Sequence, residues 1–337
     1  MSEPRVAVLG AGSWGTALAD LLARKGVETV LWSYEPEVAQ GINRHHRNPR
    51  YLTEPELDPR LAATDDFADA LGGAGAVLLV SPSHVTRSVL EGAHGLIGKD
   101  ALIVSATKGI ENETLMTMQG VIGDVISPQA AERACFLSGP SFALEVARGS
   151  PTAVSVGSRD AGRAARTQRL FQTGYFRVYT NPDARGVELG GALKNVMAIA
   201  AGVVDGLELG AGARAALITR GLAEMTRLGV ALGADPMTFS GLAGMGDLIL
   251  TSTGDLSRNR RVGLELGRGR TLEEILAGMS EVAEGVRTTT SARALAHRAG
   301  VEMPVVEEVH ALLFEGKDPR AAAGELMTRE PRSEQWH

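Results

Sequence analysis

The six residues Gly10-Ala11-Gly12-Ser13-Trp14-Gly15 constrain the fold of this chain more than any other segment. They match G-x-G-x-x-G, and their setting gives the match its weight. The apolar run Arg5–Leu9 (RVAVL) precedes them and reads as a buried parallel strand. Trp14–Lys25 follows with Leu18, Leu21 and Leu22 at helical spacing and is expected to stop at Gly26. A second strand over Val27–Trp32 completes a strand–helix–strand unit of about 30 residues. In such a unit the first glycine permits a tight turn and the second lets a pyrophosphate approach the backbone. The third lets the helix pack closely on the strand. Free N–H groups at the helix start, aided by the helix dipole, then hold the anion. The same residues also fit a glycine turn in an α/β domain that binds no nucleotide.

Further short apolar runs continue the alternation: Ala76–Val80, Ala101–Ala106, Cys135–Leu137 and Thr152–Val156. Helix-forming segments separate several of them. The expected fold is therefore α/β, a Rossmann-type doubly wound parallel sheet. After Tyr179 the text changes. From about Asp183 to Leu232 it is almost all Ala, Leu, Gly and Val at helical spacing. Thr271–Ala277, Ser291–Ala299 and Val305–Phe314 also read as helices. We expect a dinucleotide-binding domain over 1–182 and a mostly helical substrate and catalytic domain over 183–330, divided at Asn181-Pro182-Asp183. The tail Glu330–His337 is polar and expected to fray.

Composition removes several functions. Net charge is −6, so the broad basic face of a nucleic-acid binder is absent, and aromatic residues at 4% are too sparse for a base-stacking surface. The single cysteine, Cys135, rules out an intrachain disulfide and a multi-cysteine zinc site, and it suits a reducing compartment. We expect no metal, no nucleic-acid partner, no signal peptide and no membrane span, hence a cytoplasmic protein. Glycine is in excess, 41 of 337 residues.

Several residues carry candidate chemistry. Lys194 is the only ionisable side chain in the apolar stretch Gly190–Ala201. A poorly solvated lysine has a lowered pKa, as a proton donor or acceptor near neutral pH requires; a lysine snorkelling from one helix face gives the same text. Asp247, alone among glycines and apolar residues in Gly241–Leu250, needs a cationic partner, and Lys194 is a sensible one. Ser257-Arg258-Asn259-Arg260-Arg261 suits either a phosphate or a solvated helix start. Lys108 and the segment Ser138–Ala143 follow strand ends, where ligands collect in such sheets. Glu35 stands where an adenosine ribose is bound, whereas Arg44, His45, His46, Arg47 and Arg50 are placed to reach a 2′-phosphate or to form a solvated loop.

Taken together, these segments resemble the bacterial-type NAD(P)-dependent glycerol-3-phosphate dehydrogenase family from about Arg5 to Leu313. The most specific pieces are Gly10–Ala19 (GAGSWGTALA), Ser105–Glu111 (SATKGIE), Leu137–Ala147 (LSGPSFALEVA), Gly186–Asn195 (GVELGGALKN), Leu217–Met225 (LITRGLAEM), Gly244–Leu248 (GMGDL) and Ser257–Arg260 (SRNR). The resemblance implies hydride transfer between NAD or NADP and C2 of sn-glycerol 3-phosphate, with dihydroxyacetone phosphate as the ketone. It makes Lys194 the proton acceptor or donor, helped by Lys108, Asp247 and Asn195. It places substrate on Lys108, Gly139, Ser141, Lys194, Asp247, Ser257, Arg258 and Asn259. It places cofactor on Gly10, Gly12, Ser13, Trp14, Gly15, Tyr34, Glu35, Tyr51, Lys108, Ala143, Arg258, Val282 and Glu284, and it implies a homodimer. The charge of Lys108 is expected to depress the pKa of Lys194.

Two positions depart from the family pattern. Tyr34 stands where many members carry an arginine suited to a 2′-phosphate, and Gly212 replaces an asparagine two residues before Arg214. A 3-hydroxyacid or 6-phosphogluconate type of dehydrogenase, or a non-catalytic nucleotide sensor, remains an alternative reading of the same segments. Gly190, Gly191, Gly241, Gly244 and Gly246 flank the lysine and the aspartate. Their missing side chains are expected to let a small substrate meet backbone.

Overall fold

The computed structural model describes residues 3–279 and 283–330. Val282 and the expected fraying of 331–337 lie outside the described residues. The first half alternates strands and helices: β1 (Val6–Leu9), α1 (Ser13–Arg24), β2 (Thr29–Trp32), α2 (Pro36–His45) and β3 (Ala62–Thr64). Then come α3 (Phe67–Leu71), β4 (Ala76–Leu79), α4 (Ser83–Ala93), β5 (Leu102–Ser105), α5 (Met118–Val125) and α6 (Pro128–Arg133). β6 (Cys135–Ser138), α7 (Ala143–Ala147), β7 (Thr152–Gly157), α8 (Ala161–Phe171) and β8 (Phe176–Asn181) complete it. One eight-stranded sheet runs β3-β2-β1-β4-β5-β6-β7-β8. β1, β2, β4 and β5 are buried along their whole length, which is why they read as unbroken apolar runs.

The sheet is not wholly parallel. β7 pairs antiparallel with β6 and parallel with β8, so the last two strands run against the first six. The two strands that sequence patterning passed over, β3 and β8, are the sheet's edges. β3 is three residues long, and β8 alternates buried with exposed positions, so neither offers an apolar run. The order reverses between β1 and β4, and there the carboxyl ends of parallel strands open a crevice.

The second half is helical: α9 (Ala184–Gly206), α10 (Gly210–Ala231), α11 (Pro236–Phe239), α12 (Asp247–Thr253), α13 (Arg258–Gly267) and α14 (Leu272–Ala277). α15 (Glu284–Ala299), α16 (Pro304–Phe314) and α17 (Pro319–Thr328) follow. α15 starts seven residues before the Ser291 expected from spacing, because Gly285 and Thr288–Thr290 are poor helix formers that tertiary packing overrides. Asp183 starts α9 by accepting from the Gly186 N–H at 2.9 Å. By length and composition α9 is apolar enough to cross a membrane, yet 89% of its most apolar 18 residues are buried inside the protein. It is the central helix of the second half.

Glycines make that burial possible. A Cβ on Gly202 would stand 2.0 Å from the Arg260 carbonyl oxygen, and one on Gly263 1.9 Å from that of Ile199, so α9 and α13 touch backbone to backbone. Likewise a Cβ on Gly190 would stand 2.6 Å from the Ala243 carbonyl oxygen, and one on Gly191 2.5 Å from Ser138 Oγ. A Cβ on Gly244 would stand 2.2 Å from the Phe239 carbonyl oxygen. For Gly190, Gly191 and Gly244 the expectation that the missing side chain admits substrate is therefore corrected. Gly190 and Gly244 let helices and turns close on one another behind the site.

Candidate active site

A cleft of about 860 Å³ opens at the carboxyl ends of the parallel strands and runs to the start of α13. The glycine turn forms one wall. Gly10 follows β1 with φ of 122°, a conformation that disfavours side chains, and a Cβ there would press on the backbone after β4 at 2.9 Å. A Cβ on Gly15 would lie 1.9 Å from the Gly10 carbonyl oxygen, so this glycine closes the turn on itself and does not line the cleft. Gly12 lines the cleft, and among the described residues no atom lies within 4 Å of where its Cβ would be. Trp14 Nε1 is buried and has no hydrogen-bond partner among the described residues. Open backbone at Gly12, the start of α1 and an orphaned indole donor together fit a bound dinucleotide.

The loop after α2 is laid onto this turn. Buried Asn48 donates to the Ala11 carbonyl and to Thr16 Oγ1, both at 2.8 Å, and Ser13 Oγ donates to the Tyr51 carbonyl at 2.6 Å. Tyr51 then donates from its hydroxyl to Glu35 Oε1 at 2.6 Å, with Arg50 3.5 Å from the same oxygen. Tyr34, 82% exposed, stands at the rim. Of the basic residues after α2, Arg50 lines the cleft, while Arg47 donates to the backbone carbonyls of Thr53 and Glu54. Arg44, His45 and His46 do not line it.

Charged side chains make the other wall. Lys194 Nζ donates to Asp247 Oδ1 and to Thr251 Oγ1, both at 2.7 Å. Lys108 Nζ donates to Asp247 Oδ2 at 2.7 Å and to the Gly139 carbonyl at 3.0 Å. One carboxylate, 1% exposed, thus stands between two ammonium groups. Burial lowers the Lys194 pKa to about 8; Asp247 opposes that shift, and Lys108 and Arg258 add to it. Burial pushes the Asp247 carboxyl up, but the two lysines outweigh it and hold the group below the usual carboxylate range. The pair is charge-assisted and multiply hydrogen-bonded, the condition under which a buried ion pair persists. A turn of π-helix over Leu242–Gly246 leads into α12 and sets Asp247 at its first position.

Thr251 is the site residue that sequence reading missed. Its signal was present: it stands four residues after Asp247, hence on the same helix face, and its hydroxyl also bonds Asp247 Oδ1 at 3.2 Å. Asn195 and Asn259 line the cleft but are bonded to each other, Asn259 Nδ2 donating to Asn195 Oδ1 at 2.9 Å. Asn259 Oδ1 accepts from the Gly285 N–H at 2.9 Å, which ties α13 to the start of α15. Ser257 Oγ accepts from the Arg260 N–H at 3.2 Å and caps α13. Arg260 is bound by Asp205 at 2.8 Å and belongs to packing, whereas Arg258 lines the cleft. Ser141 and Ala143 line it as well. Glu284 lines it while accepting from Ser83 Oγ at 2.9 Å, and burial raises its pKa. Gly139 reaches the centre through its carbonyl. Gly212 stands in open space at the surface, and Arg214 bonds Asp205 at 2.7 Å, neither residue of that pair lining the cleft.

A nucleotide-type glycine turn at a parallel sheet's switch point, sharing one cleft with a buried lysine of lowered pKa, defines a dinucleotide-dependent oxidoreductase. Comparison with known proteins sharpens that class. Residues 5–164 match the N-terminal part, and residues 183–324 the C-terminal part, of the family described as NAD-dependent glycerol-3-phosphate dehydrogenase. The chain belongs to this family. It is 56% identical to the glycerol-3-phosphate dehydrogenase [NAD(P)+] of Geobacter metallireducens over 98% of both chains. It is 55% identical to that of Geobacter sulfurreducens over 100% of both. The crystal structure of glycerol-3-phosphate dehydrogenase from Coxiella burnetii superposes with a TM-score of 0.92 at 41% identity, covering 97% of this chain and 99% of that one. Membership decides for an NAD(P)-dependent dehydrogenase of this family over the hydroxyacid and sensor alternatives.

Proposed function

We propose that the chain interconverts dihydroxyacetone phosphate and sn-glycerol 3-phosphate with NADH or NADPH, and that Lys194 moves the proton. The nicotinamide, when bound, supplies the hydride that C2 of the ketone receives. Lys194, protonated, donates to the oxygen developing charge at that carbon. In alcohol oxidation the neutral amine accepts the hydroxyl proton. A pKa near 8 serves both directions close to neutral pH. Asp247 and Thr251 fix the ammonium by two of its three donors, leaving one for the substrate oxygen. Two lysines against one carboxylate leave a positive excess, and Arg258 adds to it, so an anionic phosphate ester is attracted. Arg258 holds the phosphate through its planar fork, with Ser257 and Asn259 fixing the start of the helix that carries it.

The observation that supports this reading most is the placement of Lys194 Nζ, 2.7 Å from Asp247, in the cleft that the glycine turn also lines. The same reading divides the chain at 182/183 into a dinucleotide part and a substrate part. It puts the enzyme in the cytoplasm as a homodimer that supplies glycerol 3-phosphate for phospholipid synthesis. It needs no nucleic-acid or membrane partner. The test is an initial-rate assay of the purified protein with dihydroxyacetone phosphate and either NADH or NADPH, with sedimentation for the dimer. We expect cofactor oxidation matched by glycerol 3-phosphate formed. A protein that oxidises neither cofactor would end this reading.

A further inference from the structure

Lys108 stands in a stretch without helix or strand, residues 106–117 between β5 and α5, yet its ammonium must keep a 2.7 Å contact with Asp247. The stretch is clamped from two sides by glutamate side chains that do not line the cleft. On the outer side, Glu111 accepts from Arg87 Nε and Nη2 of α4, both at 2.9 Å, and from Thr114 Oγ1 at 2.5 Å. Arg87 also reaches Asp124 of α5. Glu111 closes the loop on itself through its own backbone, its N–H donating to the Met116 carbonyl and its carbonyl accepting from the Leu115 N–H, each at 2.9 Å. On the inner side, Glu188 of α9 accepts from the Gln119 N–H at 2.9 Å and from Thr117 Oγ1 at 3.1 Å.

The inner contacts share one face of α9. Glu188, Gly191 and Asn195 follow at i, i+3 and i+7. Asn195 Nδ2 points to the Lys108 carbonyl at 3.5 Å, and a Cβ on Gly191 would stand 3.6 Å from Lys108 Cγ. Lys194, the proposed proton donor, directly precedes Asn195 on the same helix. One helix therefore carries both the donor and the rack on which its neighbouring cation is mounted. Both glutamates are buried, Glu111 at 4% and Glu188 at 9% exposure.

We propose that Glu111 and Glu188 are positioning residues for the reaction, which hold the 106–117 loop between α4 and α9 so that Lys108 stays on Asp247 beside Lys194. They touch neither substrate nor cofactor. Their effect passes through Lys108. If the loop loosens, Lys194 keeps Asp247 to itself and loses a neighbouring cation, and its pKa rises. The charged groups facing Lys194 are Asp247 of α12, Lys108 of the loop and Arg258 of α13; those facing Glu111 are Arg87 and, through it, Asp124; Glu188 faces Arg185 of its own helix. Burial raises the Glu188 pKa to about 8, so Glu188→Gln, which cannot titrate, also separates its protonation from that of Lys194.

This inference rests on the proposed role of Lys194, and the experiment separates the two. Single-turnover reduction of dihydroxyacetone phosphate by NADH is followed across pH in the wild type, Arg87→Met, Glu188→Ala and Glu188→Gln. Reduction needs protonated Lys194, so the wild-type rate falls as pH rises through about 8. In Arg87→Met and Glu188→Ala we expect a rate about tenfold lower and a limb moved up by about half a pH unit, with NADH affinity little changed. Glu188→Gln still accepts from the Gln119 N–H and donates to Thr117, so it restores the wild-type limb. Arg87 is partly exposed, and its variant carries the test if Glu188→Ala does not fold. A wild-type limb left in place by the folded variants overturns the positioning role, even where the rate falls. A limb that survives Lys194→Ala overturns the reading of Lys194 and this inference with it.

Discussion

One wall of the cleft is a single stretch of backbone, the five consecutive residues Gly10 to Trp14. The other is built of side chains, those of Lys108, Lys194, Thr251 and Arg258 with Asp247 buried between the lysines, brought from a loop and three helices. The first wall is defined by shape: a turn with φ of 122° at Gly10 and an open position at Gly12. The second is defined by charge, with one buried carboxylate shared between two ammonium groups. A shape-built wall fails when a carbon atom is added. A charge-built wall fails when a charge is taken away, because the partner left behind is buried and unpaired.

The largest effect is expected at Lys194. Lys194→Ala should lower kcat by about 10³, within the range for loss of a general acid or base. NADH affinity, measured by fluorescence titration, should stay near normal. Turnover close to wild type would remove Lys194 from the mechanism and blur the contrast between the walls. Arg258→Ala comes next. The loss of a charged hydrogen-bond donor should raise KM for dihydroxyacetone phosphate by about 10- to 100-fold with a smaller change in kcat. An unchanged KM would show that the phosphate binds elsewhere.

The glycine wall gives a paired test with smaller changes. Gly12→Ala meets no protein atom within 4 Å, so the melting temperature should hold while NADH affinity drops by about tenfold. Gly15→Ala puts a carbon 1.9 Å from the Gly10 carbonyl oxygen, so it should destabilise the fold by about 1–3 kcal/mol in denaturant titration. If both variants lose only binding, or both only stability, the two glycines do not divide the work in the way the geometry indicates.

The difference between the walls also explains what could be read in advance. β1, β2, β4 and β5 are buried on both faces and announce themselves as apolar runs. The glycine turn is a local backbone conformation, so its instructions are contiguous in the chain. The edge strands β3 and β8 escaped because an edge strand has one solvent-facing side or too few residues to show a period. The reversal of β7 against β6 is a matter of pairing, which no short window of text encodes.

Lys194 and Asp247 were each conspicuous as a lone charge in an apolar stretch, and their partnership followed from mutual need. The sharing of Asp247 with Lys108, the part of Thr251 and the binding of Asn259 to Asn195 and Gly285 came only with the packing. The glycines around Lys194 show the same limit: their text suggested room for substrate, but the fold uses Gly190 and Gly244 to bring backbones together. The sequence by itself determined the dinucleotide turn, the buried strands and the identity of the charged residues, because each depends on neighbours a few residues away. The tertiary structure alone decided which charges face which, since a hydrogen bond of 2.7 Å between residues 53 or 139 positions apart exists only once helices and sheet have packed.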